Sequence, residues 1–215
     1  MTRTVLKFGG TSVASPTALE NVARIVAGLA GDRIVVVSAT AGTTDGLYLA
    51  ARKAQEGDGA SAEEVLRDIA AAHANLVADL LGMGGGETLK EIGDLTERTV
   101  GLLRSVAMLR ECTARTLDAI VTYGEHVSAP IVAALFKARG VNAEALSAQG
   151  LVITDDAFGH ASPLADETRA RAQSELIPRL KAGIVPAQLG AEHALQGGPQ
   201  RRGRIRGHDQ TDGIL

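Results

Sequence analysis

The sequence predicts an α/β protein built on a parallel sheet, and three observations carry that prediction. The opening residues, to about Ser38, read strand, glycine turn, helix, strand, which is the order of a βαβ unit. The second of those strands is apolar at consecutive rather than alternate positions, as in a parallel strand covered on both faces. From Leu47 to Thr122 the chain turns rich in Ala, Leu, Glu and Arg. That texture reads as a helical excursion before the sheet resumes.

Each element has a local reason. Thr4 to Phe8 is a short β-prone run closed by Gly9-Gly10. Ser15-Pro16 supplies an N-cap and a proline at the first helical position. Behind it Leu19, Val22, Ala23, Val26 and Leu29 recur at helical spacing, with Gly31 as the expected stop. Arg33–Ser38 is the second strand. Two long helices are expected over Ala62–Leu81 and Leu89–Thr122, separated by the glycine-rich Gly82–Gly86. Pro130 marks the start of a helix over Ile131–Arg139. Ala143–Ile153 holds a turn and one or two strands, Thr168–Ala182 a helix, and Ile184-Val185-Pro186 opens the next strand.

Composition narrows the function classes. The 215 residues correspond to between one and two domains. With 45% apolar residues the chain can bury a substantial core. Lys and Arg total 22 against 25 Asp and Glu, for a net charge of −3, unlike a basic nucleic-acid binder. Aromatic residues are too few for base-stacking platforms. The single cysteine, Cys112, excludes an internal disulfide and a multi-cysteine zinc site. The longest charge-free run, Phe8 to Leu19, contains Gly9, Gly10 and Pro16 and falls short of the about 20 apolar residues a membrane span needs. No signal-peptide pattern opens the chain, so a cytoplasmic protein acting on neither nucleic acid nor membrane is expected.

Two turns carry the candidate chemistry. Lys7-Phe8-Gly9-Gly10-Thr11-Ser12 joins a lysine at a strand end to two glycines and two hydroxyls. Glycine lets the backbone approach an anion and permits positive φ. Amides at a helix start favour negative charge, and a lysine there offers a point charge to a migrating phosphoryl group. Neither GxxxxGK[ST] nor GxGxxG occurs, and a tight turn with a solvent-reaching lysine would explain the first loop alone. The second turn, Ser38-Ala39-Thr40-Ala41-Gly42-Thr43-Thr44-Asp45, follows the next strand and is dense in hydroxyls. Ligands of open parallel sheets bind outside the carboxyl ends of the strands, so the pair of loops forms a site hypothesis. Glu125 sits where a helix begins, and a carboxylate there is favoured by the helix dipole with or without a ligand. His73, among alanines, reads as structural. His126 is a neighbour of Glu125, Cys112 a small core residue in a helical run, and Glu63-Glu64 a solvated face.

KFGGTSV followed by VVVSATAGTTD resembles the opening of the aspartate kinases, within the amino-acid kinase superfamily. YGEHVSAPIVAALF from Tyr123 and TDDAFGHASP from Thr154 resemble two further segments of that family, in the same order, so the resemblance covers about residues 3–187. It implies an α/β/α sandwich of amino-acid kinase type with a helical excursion. It further implies ATP-dependent phosphorylation of the side-chain carboxylate of L-aspartate, the first step towards lysine, threonine and methionine, with ATP and Mg²⁺ as cofactors and no metal ligand from the protein. By the same resemblance Lys7 is catalytic and, with Gly9, Gly10, Thr11 and Ser12, holds phosphate. Ser38, Thr44 and Glu125 lie against the substrate, Glu125 paired with its amino group.

After Pro186 the sequence departs from that pattern. Gln188–Leu215 is dominated by Gly, Arg and Gln with neither strand nor helical period, and a segment of that kind buries no useful face. The expectation is a catalytic unit over 1–187, incomplete at its C-terminal end, and a divergent or disordered tail over 188–215. A shifted reading frame or natural divergence would each produce such a tail. Arg206 and Asp209 faintly echo the family's next substrate loop. The family's nucleotide-pocket strands and paired regulatory domains are not recognised in this sequence, so a truncated, weakly active or inactive form is expected. The alternative is a non-catalytic interaction module with an exposed sheet edge. A homo-oligomer is left open.

Overall fold

The computed structural model describes residues 2–147, 151–155 and 162–189. Its sheet has four strands, β1 (Arg3–Phe8), β2 (Asp32–Val37), β3 (Ala143–Leu146) and β4 (Val185–Leu189), in the order β1-β2-β4-β3. Every pairing is parallel; β1 lies in register with β2 from Arg3 opposite Asp32 to Phe8 opposite Val37. The continuous apolar run of β2 is explained by its two faces. Val35 and Val37 are fully buried in the main core, while Ile34 belongs to a second cluster with Leu151, Leu176 and Leu180. A helix from each cluster covers the sheet: α6 (Tyr123–Ala138) packs on β2, β3 and β4 from the main core, and α7 (Ala165–Lys181) packs on β4 from the other cluster.

α1 (Pro16–Ala27) begins as expected. Ser15 is its N-cap, the Ser15 hydroxyl accepting from the Ala18 amide at 3.2 Å, and Pro16 occupies the first turn. The helix stops at Gly28, three residues before the glycine expected to end it, and Gly31 at φ +86° instead turns the chain into β2.

The helical excursion has four helices rather than two: α2 (Thr43–Gln55), α3 (Gly59–Leu81), α4 (Gly86–Leu109) and α5 (Ala114–Val121). The expected helix Leu89–Thr122 is broken at Arg110, which takes a left-handed φ of 55°, and Thr113 caps the new start at α5. Cys112 therefore lies in the connection between α4 and α5, partly buried against the core, and not in a helical run. Glu63 is likewise more than a solvated residue: it accepts two hydrogen bonds from Arg104, at 2.7 and 2.8 Å, tying α3 to α4.

α6 begins at Tyr123, eight residues before the expected start, and runs through Pro130. A proline there removes the amide that would donate to the His126 carbonyl; burial compensates, since nearly every residue from Tyr123 to Phe136 is buried. Ala114–Ala138 is also long and apolar enough to cross a membrane, which the charge-free-run criterion missed, and 72% of its apolar window is buried inside the protein. A helix apolar all round and packed in this way is a core helix. Of the one or two strands expected over Ala143–Ile153, β3 is one; residues 148–150 lie outside the described residues, and just beyond the region Thr154 forms an antiparallel bridge with Pro163. β4 reaches Leu189.

Candidate functional site

The loops after β1 and β2 are joined into one structure at the carboxyl edge of the sheet. The Ser38 amide donates to the Phe8 carbonyl at 3.2 Å, continuing the ladder beyond β2, and the Ala41 amide donates to the Gly10 carbonyl at 3.3 Å. The glycine pair is used for closeness, not for unusual dihedrals. Gly9 is extended, with φ −74° and ψ 170°, and neither glycine takes a positive φ, so that part of the expectation is corrected. A Cβ on Gly10 would stand 2.7 Å from the Ala39 carbonyl oxygen and 3.3 Å from the Ala41 nitrogen. Only glycine allows the two loops to approach this closely. Gly9 has room: the nearest atom to a Cβ there is the Lys7 Nζ, 4.0 Å away. The Lys7 ammonium thus lies beside Gly9, and Lys7 is exposed near the end of its strand. Gly10–Val13 then forms a 3-10 helix containing Thr11 and Ser12, whose opening amides have no partner within the helix.

α6 brings the third component. Gly124 packs on the β2–α2 loop so tightly that a Cβ would meet the Thr43 Cγ2 at 2.6 Å and the Ala39 Cβ at 2.9 Å. Glu125 follows in the first turn, only 6% exposed. Tyr123 fixes the same turn from behind. Thr96 donates to the Ile92 carbonyl at 2.7 Å, so the Tyr123 hydroxyl, 2.9 Å from Thr96 Oγ1, is the donor of that pair. Ser38 is buried at the end of β2, and Thr44 is half-buried in the first turn of α2. The structure therefore gathers Lys7, Gly9, Gly10, Ser38, Thr44 and Glu125 on elements that touch one another. Arg206 and Asp209 lie outside the described residues, as do Asp156 to Ala161 of the TDDAFGHASP segment.

One participant was not legible in the sequence. His73 of α3 is 3% exposed, and its ring joins the second loop: Nε2 is 3.0 Å from Thr40 Oγ1, while Nδ1 is 2.7 Å from the Ile69 carbonyl. Thr40 Oγ1 is in turn 2.6 Å from Thr43 Oγ1. Burial lowers the His73 pKa below its usual value, opposed by the bond to Ile69; burial also lowers that of His126. A cleft of about 470 Å³ lies beside the loop, lined by Thr40, Thr43, Asp68, His73 and Asp79 among others. Lys7, Ser38 and Glu125 are not in its lining.

The first two loops of the parallel sheet and a buried helix start converge at one edge, the carboxyl edge where open parallel sheets bind their ligands. The Amino acid kinase family model matches residues 2–207, and the chain belongs to that family. It is similar to aspartokinases and to bifunctional aspartokinase/homoserine dehydrogenases. It is 31% identical over 218 residues to the lysine-sensitive aspartokinase 3 of Escherichia coli, covering 98% of this chain and 45% of the relative. It is 34% identical over 157 residues to the chloroplastic aspartokinase 1 of Arabidopsis thaliana, covering 71% of this chain and 27% of that one. Among solved structures, E. coli aspartokinase III in complex with aspartate and ADP superposes with a TM-score of 0.74 at 31% identity, over 86% of this chain and 40% of that chain. The lysine and aspartate complex gives 0.76 at 30% identity, with the same coverage. The chain thus spans less than half the length of the relatives it matches.

Proposed function

We propose that this chain carries an aspartate kinase site, transferring the γ-phosphoryl group of ATP to the side-chain carboxylate of L-aspartate to give 4-phospho-L-aspartate and ADP. A carboxylate oxygen attacks the γ-phosphorus, the bond to the β–γ bridging oxygen breaks, and ADP leaves. The acceptor is already ionised at neutral pH, so no general base is required, and the work reduces to positioning and charge neutralisation. Lys7 neutralises the migrating phosphoryl group. Gly9, Gly10 and Thr11 offer backbone amides, and Thr11 and Ser12 hydroxyls, to phosphate oxygens, the Ser12 amide being held by the Gly9 carbonyl at 2.9 Å. Ser38 and Thr44 contact the acceptor, and Glu125 holds its amino group. Mg²⁺ would arrive with the nucleotide and supply further charge neutralisation. The reaction is the entry step to lysine, threonine and methionine, in the cytoplasm.

The observation that carries this reading is the convergence of Lys7, the two loops and Glu125 in a chain that superposes on an aspartate- and ADP-bound aspartokinase. The proposed catalytic unit covers residues 1–187 together with the end of β4 at Leu189, with a divergent tail beyond. The test is hydroxamate formation when ATP, aspartate and hydroxylamine are supplied, because hydroxylamine traps an acyl phosphate. A signal that requires both ATP and aspartate supports the proposal. Its absence at saturating substrate, from folded protein, rejects it and favours a non-catalytic module.

A further inference from the structure

The direction of every hydrogen bond around His73 follows from one fixed partner. The Ile69 carbonyl can only accept, so at 2.7 Å the His73 Nδ1 carries the proton. In the neutral ring Nε2 is then an acceptor. Thr40 must donate to it, which leaves Thr40 Oγ1 to accept from Thr43. The chain runs Thr43 to Thr40 to His73 to the Ile69 carbonyl, with no choice of sense at any link.

That chain ends on the atoms that build the site. Thr43 is the residue on which Gly124 seats the first turn of α6, and it immediately precedes Thr44. The same loop reaches the glycine pair through the Ala41 amide, and closes on itself through the Thr43 amide donating to the Thr40 carbonyl at 3.1 Å. On its outer side the loop borders the 470 Å³ cleft rather than packed side chains, and Ala41 and Gly42 are exposed. With little packing on that side, the hydroxyl chain adds a side-chain restraint to the backbone bonds of Ala41 and Thr43.

We propose that His73 is a positioning residue: it anchors the β2–α2 loop through Thr40 and Thr43, and so sets where Thr44 and the start of α6 stand. The catalytic meaning of that anchoring rests on the aspartate kinase reading; the anchoring itself does not. It also gives the helical excursion a role at the sheet edge, since α3 supplies the anchor from 33 residues further along the chain.

The test compares the full chain with His73→Leu, Thr40→Val and Thr40→Ser. In the unaltered protein, nitrogen-15 shifts of the imidazole should show a protonated Nδ1 and a bare Nε2; the opposite tautomer overturns the proposal. Loss of a buried hydrogen bond is expected to raise amide exchange at Ala41 and Thr43 by about tenfold or more. His73→Leu and Thr40→Val should both do this, Thr40→Ser should stay within about threefold of the original, and α3 amides should be unchanged in all three. Unchanged loop exchange in Thr40→Val overturns the proposal even if His73→Leu fails to fold, and so does equal loosening of α3. With turnover, Thr40→Val should raise the aspartate KM about tenfold and leave kcat within about threefold. Equal loss in both would overturn the positioning role. If the unaltered chain does not turn over, the aspartate kinase reading fails while amide exchange still decides the anchoring.

Discussion

Gly10→Ala puts the junction of the two loops under the most direct strain. The added methyl would stand 2.7 Å from the Ala39 carbonyl oxygen, a backbone atom that no rotamer change can move. The second loop must retreat by several tenths of an ångström, which costs about 1–3 kcal/mol as overpacking. The retreat also stretches the Ala41–Gly10 hydrogen bond, already at 3.3 Å, and its loss adds about 0.5–1.5 kcal/mol. The sum, about 2–4 kcal/mol, corresponds to roughly 5–15 °C in melting temperature for a chain of this size. Gly9→Ala is the internal control. Its backbone is extended and its nearest neighbour is the flexible end of Lys7 at 4.0 Å. Alanine there should leave the fold unharmed or stabilise it by about 0.4–1 kcal/mol through the unfolded chain. Thermal unfolding followed by circular dichroism distinguishes the two variants. A Gly10→Ala protein that melts with the original, or a Gly9→Ala protein that falls as far as Gly10→Ala, would refute the reasoning.

Tyr123→Phe should cost about 1 kcal/mol, because the ring stays packed and only the bond to Thr96 is lost; urea unfolding measures it, and a loss above about 3 kcal/mol would mean that the ring itself had moved. Ser15→Ala should destabilise by about 1 kcal/mol through the exposed N-cap of α1, while Ser15→Asp should restore it. Acidification should destabilise the fold below pH 6.5, where the unfolded chain takes up protons that the buried, pKa-lowered His73 and His126 resist. The slope is at most about 1.4 kcal/mol per pH unit for each histidine. Urea midpoints between pH 5.5 and 7.5 lie above the window of the lowered carboxylates Glu20 and Glu63, and His73→Leu should flatten the slope. Stability that rises on acidification over that range would contradict the burial argument.

The sheet edge was legible because its signals are local. Gly9-Gly10, the hydroxyl-dense loop and the Ser15-Pro16 start each lie within a few residues of the strand they follow. The consecutive apolar residues of β2 announced burial on two faces, and both clusters are there. What failed to show was decided by distance or by uniform burial. α6 is buried on nearly every face, so no periodicity marked its first half and Pro130 looked like a beginning. The break at Arg110 depends on a left-handed dihedral in a residue other than glycine or asparagine. His73 looked structural among alanines because Thr40, its partner in the loop, precedes it by 33 residues, and no spacing rule connects a helical imidazole to a distant hydroxyl.

The proposed aspartate kinase site stands most directly on a division of labour between Lys7 and Glu125, and steady-state kinetics of their alanine variants measures it. In the proposed aspartate kinase site the phosphoryl group gains its contact with Lys7 as charge spreads in the transition state. Lys7→Ala should therefore lower kcat by about 10²–10³, the loss typical of one preorganised electrostatic donor, with little change in aspartate KM. The substrate amino group carries the same charge throughout the reaction, so Glu125→Ala should mainly raise aspartate KM. Circular dichroism confirms that each variant is folded. A folded Lys7→Ala protein with near-normal kcat would contradict the account, and the glycine pair would then be a tight junction between two loops and nothing more.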